Sequence, residues 1–153
     1  MKRRTFLKGT IASGMLGVAA SAGLLAPRMV LAAWPKSAFD AKSIDDALSA
    51  LLGNTSHTES SDIKIKAPDI AENGAVVPIT VSTGMTAESI SILIAKNPSP
   101  LACSYALGSN TLGFVSTRVK MGKTSDLIAI VKSGGKLHSA KKTVKVTIGG
   151  CGG

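Results

Sequence analysis

From Ile63 onward, apolar and polar residues alternate with a period of two. Ile63 and Ile65 alternate with Lys64 and Lys66, and Val77, Ile79 and Val81 with Pro78, Thr80 and Ser82. Ile90, Ile92 and Ile94 form a third set, and Leu101, Cys103, Tyr105 and Leu107 a fourth. Phe114 to Met121, Leu127 to Val131, and Val144 with Val146 and Ile148 complete the series. Successive strand side chains point to opposite faces, so each run can bury one face and wet the other. Turn signals separate the runs: Glu72-Asn73-Gly74, Thr83-Gly84, Asn97-Pro98-Ser99-Pro100, Gly108-Ser109-Asn110, Met121-Gly122-Lys123 and Ser133-Gly134-Gly135. About seven or eight short strands punctuated in this way predict an all-β chain, an Ig-like antiparallel β-sandwich. No helices alternate with the strands, which excludes a parallel α/β sheet. The cysteine–tryptophan–cysteine arrangement of antibody domains is missing, because Trp34 precedes the domain.

One segment upstream has a different period. Phe39, Ile44, Ala47, Leu48, Leu51 and Leu52 are apolar, and from Ile44 onward they follow the spacing of an amphipathic helix. Asp40, Asp45 and Asp46 lie toward its start, where the helix dipole favours acids, and Gly53-Asn54 supplies a stop. The pattern predicts one helix over about 38–52. Its apolar face either covers one end of the core or takes a partner, and the first use is the commoner.

The first 33 residues read as an address. A basic head, Lys2-Arg3-Arg4-Thr5-Phe6-Leu7-Lys8, precedes an uncharged stretch from Gly9 to Pro27 rich in Gly, Ala and Ser. Val30-Leu31-Ala32-Ala33 then offers small residues to a signal peptidase. Paired arginines followed by Thr-Phe-Leu-Lys resemble a twin-arginine export signal, and cleavage is expected after Ala32 or Ala33. Pro27 and Arg28 interrupt the span, which argues against a membrane anchor. The expected location is therefore the periplasm, with no membrane contact once the signal is removed.

That address also distorts the charge. The whole chain carries 18 Lys plus Arg against 9 Asp plus Glu, a net +9 that imitates a nucleic-acid or membrane binder. Residues 1–33 hold five of those cations (Lys2, Arg3, Arg4, Lys8, Arg28) and no acid, so the mature part retains thirteen cations, nine acids and a net +4. Aromatics make up only 3%, which leaves little for stacking bases, so no nucleic-acid partner is expected. A hydrophobic fraction of 44% over 153 residues supports one ordinary packed domain. CxxC, HExxH, GxSxG and GxxxxGKS/T motifs are absent. Two cysteines, Cys103 and Cys151, and two histidines, His57 and His138, match no zinc-site spacing, so neither a metal nor another cofactor is expected.

Chemistry concentrates in the tail, Gly149-Gly150-Cys151-Gly152-Gly153. Glycine has no side chain to bury and loses the most conformational entropy when ordered, so residues 149–153 are expected to form a mobile arm. Five residues reach roughly 17 Å when extended. With glycines on both sides, Cys151 can enter a channel too narrow for ordinary side chains. Its thiol, with an ordinary pKa of about 8.5, is a few per cent thiolate at neutral pH. Such a group is quiet until a partner's active site activates it, and it can hold another sulfur covalently as a persulfide or thiosulfonate. The structural alternative is an incidental tail cysteine, or a disulfide to Cys103. Cys103 shares a face with Leu101, Tyr105 and Leu107, which points it toward the core. A disulfide needs Cα atoms roughly 4.4–6.8 Å apart and would drag the tail across a buried strand. The rival class, a thiol redox enzyme, lacks a resolving CxxC.

Val146-Thr147-Ile148-Gly149-Gly150-Cys151-Gly152-Gly153 resembles the carboxyl-terminal signature of SoxY, the sulfur-carrier subunit of the bacterial thiosulfate-oxidising Sox system. The resemblance spans the mature chain. It includes the helix from Phe39 to Leu52, Ala67 through Pro78, Asn97-Pro98-Ser99-Pro100-Leu101-Ala102, and Ser116 through Met121. It implies a sandwich domain over 37–148, a carrier arm over 149–153 and Cys151 as the site of covalent sulfur attachment. Gly149, Gly150, Gly152 and Gly153 would form the swinging arm. It implies a non-enzymatic carrier that pairs with SoxZ and holds thiosulfate-derived cargo. The c-type cytochrome SoxAX would load that cargo, the hydrolase SoxB would release sulfate, and a sulfur dehydrogenase, SoxCD, would be a further visitor. Cys103 departs from this pattern, in which one reactive thiol is usual, so its burial matters. A periplasmic interaction or chaperone-like sandwich with a redox-sensitive tail cysteine is the alternative function.

Weaker candidates remain. Lys132, Lys136, Lys141, Lys142 and Lys145 cluster in the last third of the chain, either to attract an anion or as solvated strand positions that guard an edge. Arg118 and Lys120 are expected on the polar face of a strand. His57 and His138 are expected to be surface residues. Asp69 to Gly74 is either a partner-facing loop or a turn in which Asn73-Gly74 supplies positive φ.

Overall fold

The computed structural model describes residues 35–147. The signal segment 1–33 and the arm 149–153, with Cys151, lie outside the described residues.

The segment predicted as one helix is two: α1 (Lys36–Asp40) and α2 (Ile44–Leu52). The break follows from Ser43. Its extended backbone places its hydroxyl to accept the Asp46 N–H at 3.1 Å, an N-cap that starts a new helix. Asp45 and Asp46 then fall in the first turn, where the dipole favours them. Breaking the chain here lets Ala38 of α1 and Ala47 and Leu48 of α2 all reach full burial.

Nine strands follow among the described residues: β1 (Thr58–Glu59), β2 (Ile63–Lys66), β3 (Ile70–Ala71), β4 (Val77–Thr83), β5 (Ser89–Ile94), β6 (Leu101–Ala106), β7 (Phe114–Val119), β8 (Ser125–Ser133) and β9 (Lys136–Val146). A six-stranded sheet runs β1-β9-β8-β5-β6, with β3 also paired to β9; a three-stranded sheet runs β2-β4-β7. The long pairings are antiparallel, as the alternation predicts. The two-residue strands β1 and β3 instead pair with β9 in parallel, and no sequence pattern announces elements so short.

Between the sheets, Val77, Ile79 and Val81 of β4 and Val115 and Val119 of β7 meet Ile90, Ile92 and Ile94 of β5 and Leu127, Ala129 and Val131 of β8. Each such Ile or Val contributes about 1.5–3 kcal/mol by leaving water. β5 is buried on its other face as well: Leu93, with Leu101, Ile130 and Leu137, packs under Ala38, Ala47 and Leu48. The helix pair is therefore a third layer on the outer face of the six-stranded sheet. On that same face of β5, Ser91 is fully buried, and its hydroxyl is paired with that of Ser104 at 2.9 Å.

β9 starts at Lys136, eight residues before the Val144 run that marks it in the sequence. Gly134 (φ 55°) and Gly135 (φ 73°) make a two-residue hairpin whose geometry suits the twist of the strands it joins. His138 accordingly lies within β9, opposite Val131.

Candidate functional site

One end of the sandwich collects the segment joining β2 to β4, the β5–β6 and β7–β8 loops, and the C-terminal end of β9. The tail that bears Cys151 departs from this end, and the last described residues before it are held from two sides. On one side, the Lys145 and Thr147 N–H groups donate to the carbonyls of Asp69 (2.9 Å) and Ala71 (3.0 Å) in the parallel pairing with β3. On the other, the Val146 N–H donates to the Thr124 hydroxyl at 2.9 Å. A segment paired on both flanks keeps its direction, so the backbone is fixed as far as Thr147.

The loops that grip this root are themselves tied together. The Met121 N–H donates to the Gly74 carbonyl at 2.7 Å. The Asn97 amide bridges two loops, donating to the Lys120 carbonyl (2.8 Å) and accepting from the Gly122 N–H (3.1 Å). Gly74 does not have positive φ; among the described residues that conformation belongs to Gly53, Gly134 and Gly135. Of the two sequence readings of 69–74, the positive-φ turn is therefore wrong. Glycine is needed at 74 because a β-carbon there would sit 2.4 Å from the Met121 carbonyl oxygen and 2.8 Å from Val146 Cγ1. Two of its six residues are not loop, since Ile70–Ala71 is β3.

Lys142, one of the five clustered lysines, braces the same region. Its ammonium donates to the Ala67 carbonyl at 2.7 Å and pairs with Asp69 at 3.0 Å. Lys132 pairs with Glu88 (3.3 Å) at the opposite end, so the five do not form one site. The Gly135 N–H also donates to Glu88, at 3.1 Å. That bond, followed by Lys132, lowers the Glu88 pKa from its ordinary value. Arg118 and Lys120 are exposed, as their alternation predicts.

Cys103 lies on β6 opposite Ile92 as a half-buried free thiol packed against the inter-sheet core. Burial pushes its pKa up, with the side chain of Tyr105 pulling the other way. The Tyr105 hydroxyl donates to Thr117 Oγ1 at 3.1 Å, linking the free edges of the two sheets. A thiol that is both shielded and hard to ionise is a poor nucleophile.

One feature gives no local signal in the sequence. His57 Nδ1 and Ser139 Oγ lie 2.9 Å apart although 82 residues separate them. With Glu59, Ile128, Ala140 and Lys141 they line a cleft of about 300 Å³ beside β1 and β9. Only the parallel pairing of β1 with β9 brings them together. His57 is exposed, as expected; His138 is half-buried. Among the described residues no group of His, Cys, Asp or Glu is arranged to hold a metal, and no helix is long and apolar enough to cross a membrane.

Comparison with known proteins agrees with this architecture. The sulfur carrier protein SoxY from Chlorobium limicola f thiosulfatophilum is 46% identical over 69% of this chain and 97% of its own, with a TM-score of 0.63. A superoxide reductase (neelaredoxin) from Ignicoccus hospitalis, 22% identical over 60% of this chain and 81% of its own with a TM-score of 0.51, shares the fold alone. No curated protein matches the chain significantly. The family described as "Sulfur oxidation protein SoxY" matches residues 48–151, a span that runs from within α2 through every strand and takes in Cys151. The chain belongs to the SoxY family.

Proposed function

We propose that this protein is a periplasmic sulfur carrier, exported by the twin-arginine route, that holds sulfur intermediates covalently on Cys151. The observation that carries this reading is the anchored root. Hydrogen bonds from both flanks hold β9 up to Thr147, and the sequence Ile148-Gly149-Gly150-Cys151-Gly152-Gly153 begins immediately after. Three residues separate Thr147, the last anchored position, from Cys151, so the thiol-bearing residue lies at most about 14 Å away, four residue steps. The body sets where the thiol is presented, and the glycines leave it accessible. Family membership and the likeness to a sulfur carrier support the same reading. The shielding of Cys103 supports a single reactive thiol.

Loading is an oxidation. The thiol and thiosulfate combine as Cys–SH + S₂O₃²⁻ → Cys–S–S–SO₃⁻ + H⁺ + 2e⁻; a sulfur–sulfur bond forms, and the two electrons pass to the c-type cytochrome SoxAX. Release of sulfate is hydrolysis: water attacks the terminal sulfur and leaves Cys–S–SH on the carrier, the work of SoxB. SoxCD would oxidise the sulfur that remains. SoxZ is the heterodimer partner, and the carrier itself performs none of these steps. The test is to mix the reduced protein with SoxZ, SoxAX and thiosulfate and follow haem reduction. The intact chain is expected to deliver electrons in proportion to carrier, and Cys151→Ser none. Equal haem reduction by Cys151→Ser would contradict the proposal.

A further inference from the structure

We infer that Lys96, Lys120, Lys123 and Lys145 form a basic collar around the root of the carrier segment, which draws anionic sulfur species to Cys151 and disfavours neutral ones. This rests on the carrier reading above and adds a selectivity to it.

The four lysines are far apart in sequence, and the fold gathers them. The Lys96 N–H donates to Ser125 Oγ at 2.9 Å, at the start of β8. The Lys120 carbonyl is held by Asn97, the neighbour of Lys96. Lys123 precedes Thr124, whose hydroxyl receives the Val146 N–H. The Lys145 backbone is bonded to Asp69. All four side chains are exposed, and none has an acidic partner among the described residues. The acids at this end are partly spent. Asp69 is paired with Lys142, while Asp126, which accepts the Thr143 hydroxyl, and Glu72 have no cationic partner among the described residues, so two acids stand against the four lysines and the balance stays positive. At the hairpin end, by contrast, Lys132 is neutralised by Glu88. The unpaired positive charge of these loops therefore surrounds the point from which the thiol is presented.

Unpaired charges of one sign raise the local concentration of an oppositely charged reactant, and salt screens the effect over a Debye length of about 10 Å at 0.1 M. Thiosulfate is a dianion and the cargo it forms keeps a sulfonate, so both the incoming reactant and the loaded arm feel this field. A neutral disulfide or polysulfide does not.

The test compares the rates at which Cys151 attacks two aryl disulfides, the dianionic bis(nitrobenzoate) and the neutral dipyridyl compound. In each reaction the thiolate forms a mixed disulfide and one aryl thiolate leaves. The labelled position is confirmed from the C-terminal tryptic peptide, Val146–Gly153, or Thr143–Gly153 where Lys145 is replaced. Three proteins are measured at low ionic strength. They are the intact chain, a collar variant with Lys96, Lys120, Lys123 and Lys145 each changed to Gln, and a control with Lys36, Lys64, Lys136 and Lys141 each changed to Gln. The last two have the same net charge, and every altered residue is exposed. The anionic-to-neutral rate ratio is expected to fall about three- to tenfold in the collar variant, to stay close to the intact value in the control, and to converge for all three at high salt. An equal ratio in collar and control variants overturns the collar while leaving the presented thiol intact. A Cys151 that resists both reagents in the intact chain overturns the carrier reading and the collar with it.

Discussion

Gly74 and Val146 approach so closely that a single added carbon at position 74 would lie 2.8 Å from Val146 Cγ1, with the Met121 carbonyl oxygen nearer still at 2.4 Å. The contact joins the segment carrying β3 to the last residues of β9, so the placement of the end of β9 depends on the absence of a side chain at position 74. Gly74→Ala is expected to lower stability by about 1–3 kcal/mol, because the obstructing atoms include backbone that cannot swing away. It should also loosen the pairing beyond Lys145. Urea denaturation reads the first effect. Amide hydrogen exchange reads the second, with faster exchange at Thr147 than in the parent.

Glu88 makes the β8–β9 hairpin pH-dependent. Its folded pKa is depressed, first by the Gly135 N–H and then by Lys132, so its contribution is present above its ordinary value of 4.5 and is lost as pH falls through the lower folded value. Glu88→Gln is therefore expected to melt below the parent at neutral pH, and the two melting temperatures should converge as pH falls through the lowered folded value. Thermal melts between pH 3 and 7 check the sign. A gap that widens on acidification would show that the carboxylate is not what holds the hairpin.

Cys103 should behave as a core residue. Burial raises its pKa, so the protonated thiol is the form that folding favours. That contribution is complete below the unfolded thiol's pKa and is lost as pH rises through the folded value. Alkylation of the native protein is expected to label Cys151 well before Cys103 at neutral pH, with the Cys103 rate still climbing above pH 9. Mass mapping of the tryptic peptides Asn97–Arg118 and Val146–Gly153 separates the two sites.

The helix layer makes a separate contribution. Leu48 is fully buried against Leu93, Leu101, Ile130 and Leu137. Leu48→Ala is expected to cost about 2–5 kcal/mol, the range for truncating a core leucine. The rate at which Cys151 reacts should be unchanged, because the layer lies on the outer face of the six-stranded sheet and supplies none of the hydrogen bonds at the root. Urea midpoints and thiol labelling rates report the two effects independently.

Much of this architecture is legible in the sequence because period-two runs such as Ile90, Ile92 and Ile94 have only one way to bury their methyl groups. Cys103 does pack inward, but Leu101, which the alternation puts on the same face, lies in the outer cluster under the helices, because the β5–β6 pairing shifts register between Ile92 and Leu93. Leu93 breaks that alternation because helices cover the second face of β5, a tertiary fact that no local pattern contains. The split between α1 and α2 did leave a trace, Ser43 three residues before Asp46, but the continuous apolar spacing from Phe39 masks it. β1 and β3, at two residues each, are too short to carry a period. The reason for glycine at position 74 depends on Met121 and Val146, and the convergence of Lys96, Lys120, Lys123 and Lys145 depends on which loops share an end. Only the strand order reveals either one. The terminal glycines and Cys151, by contrast, are conspicuous in the sequence because glycine offers no side chain to bury.

The central claim is that sulfur is carried on Cys151 and not on Cys103. Intact-mass spectrometry after incubation with thiosulfate, SoxZ and SoxAX, followed by tryptic mapping, tests it most directly. The account predicts an adduct of about 112 Da, removed by thiol reductant, confined to the peptide Val146–Gly153 and absent from Cys151→Ser. An adduct on Asn97–Arg118, or one that survives in Cys151→Ser, would contradict it.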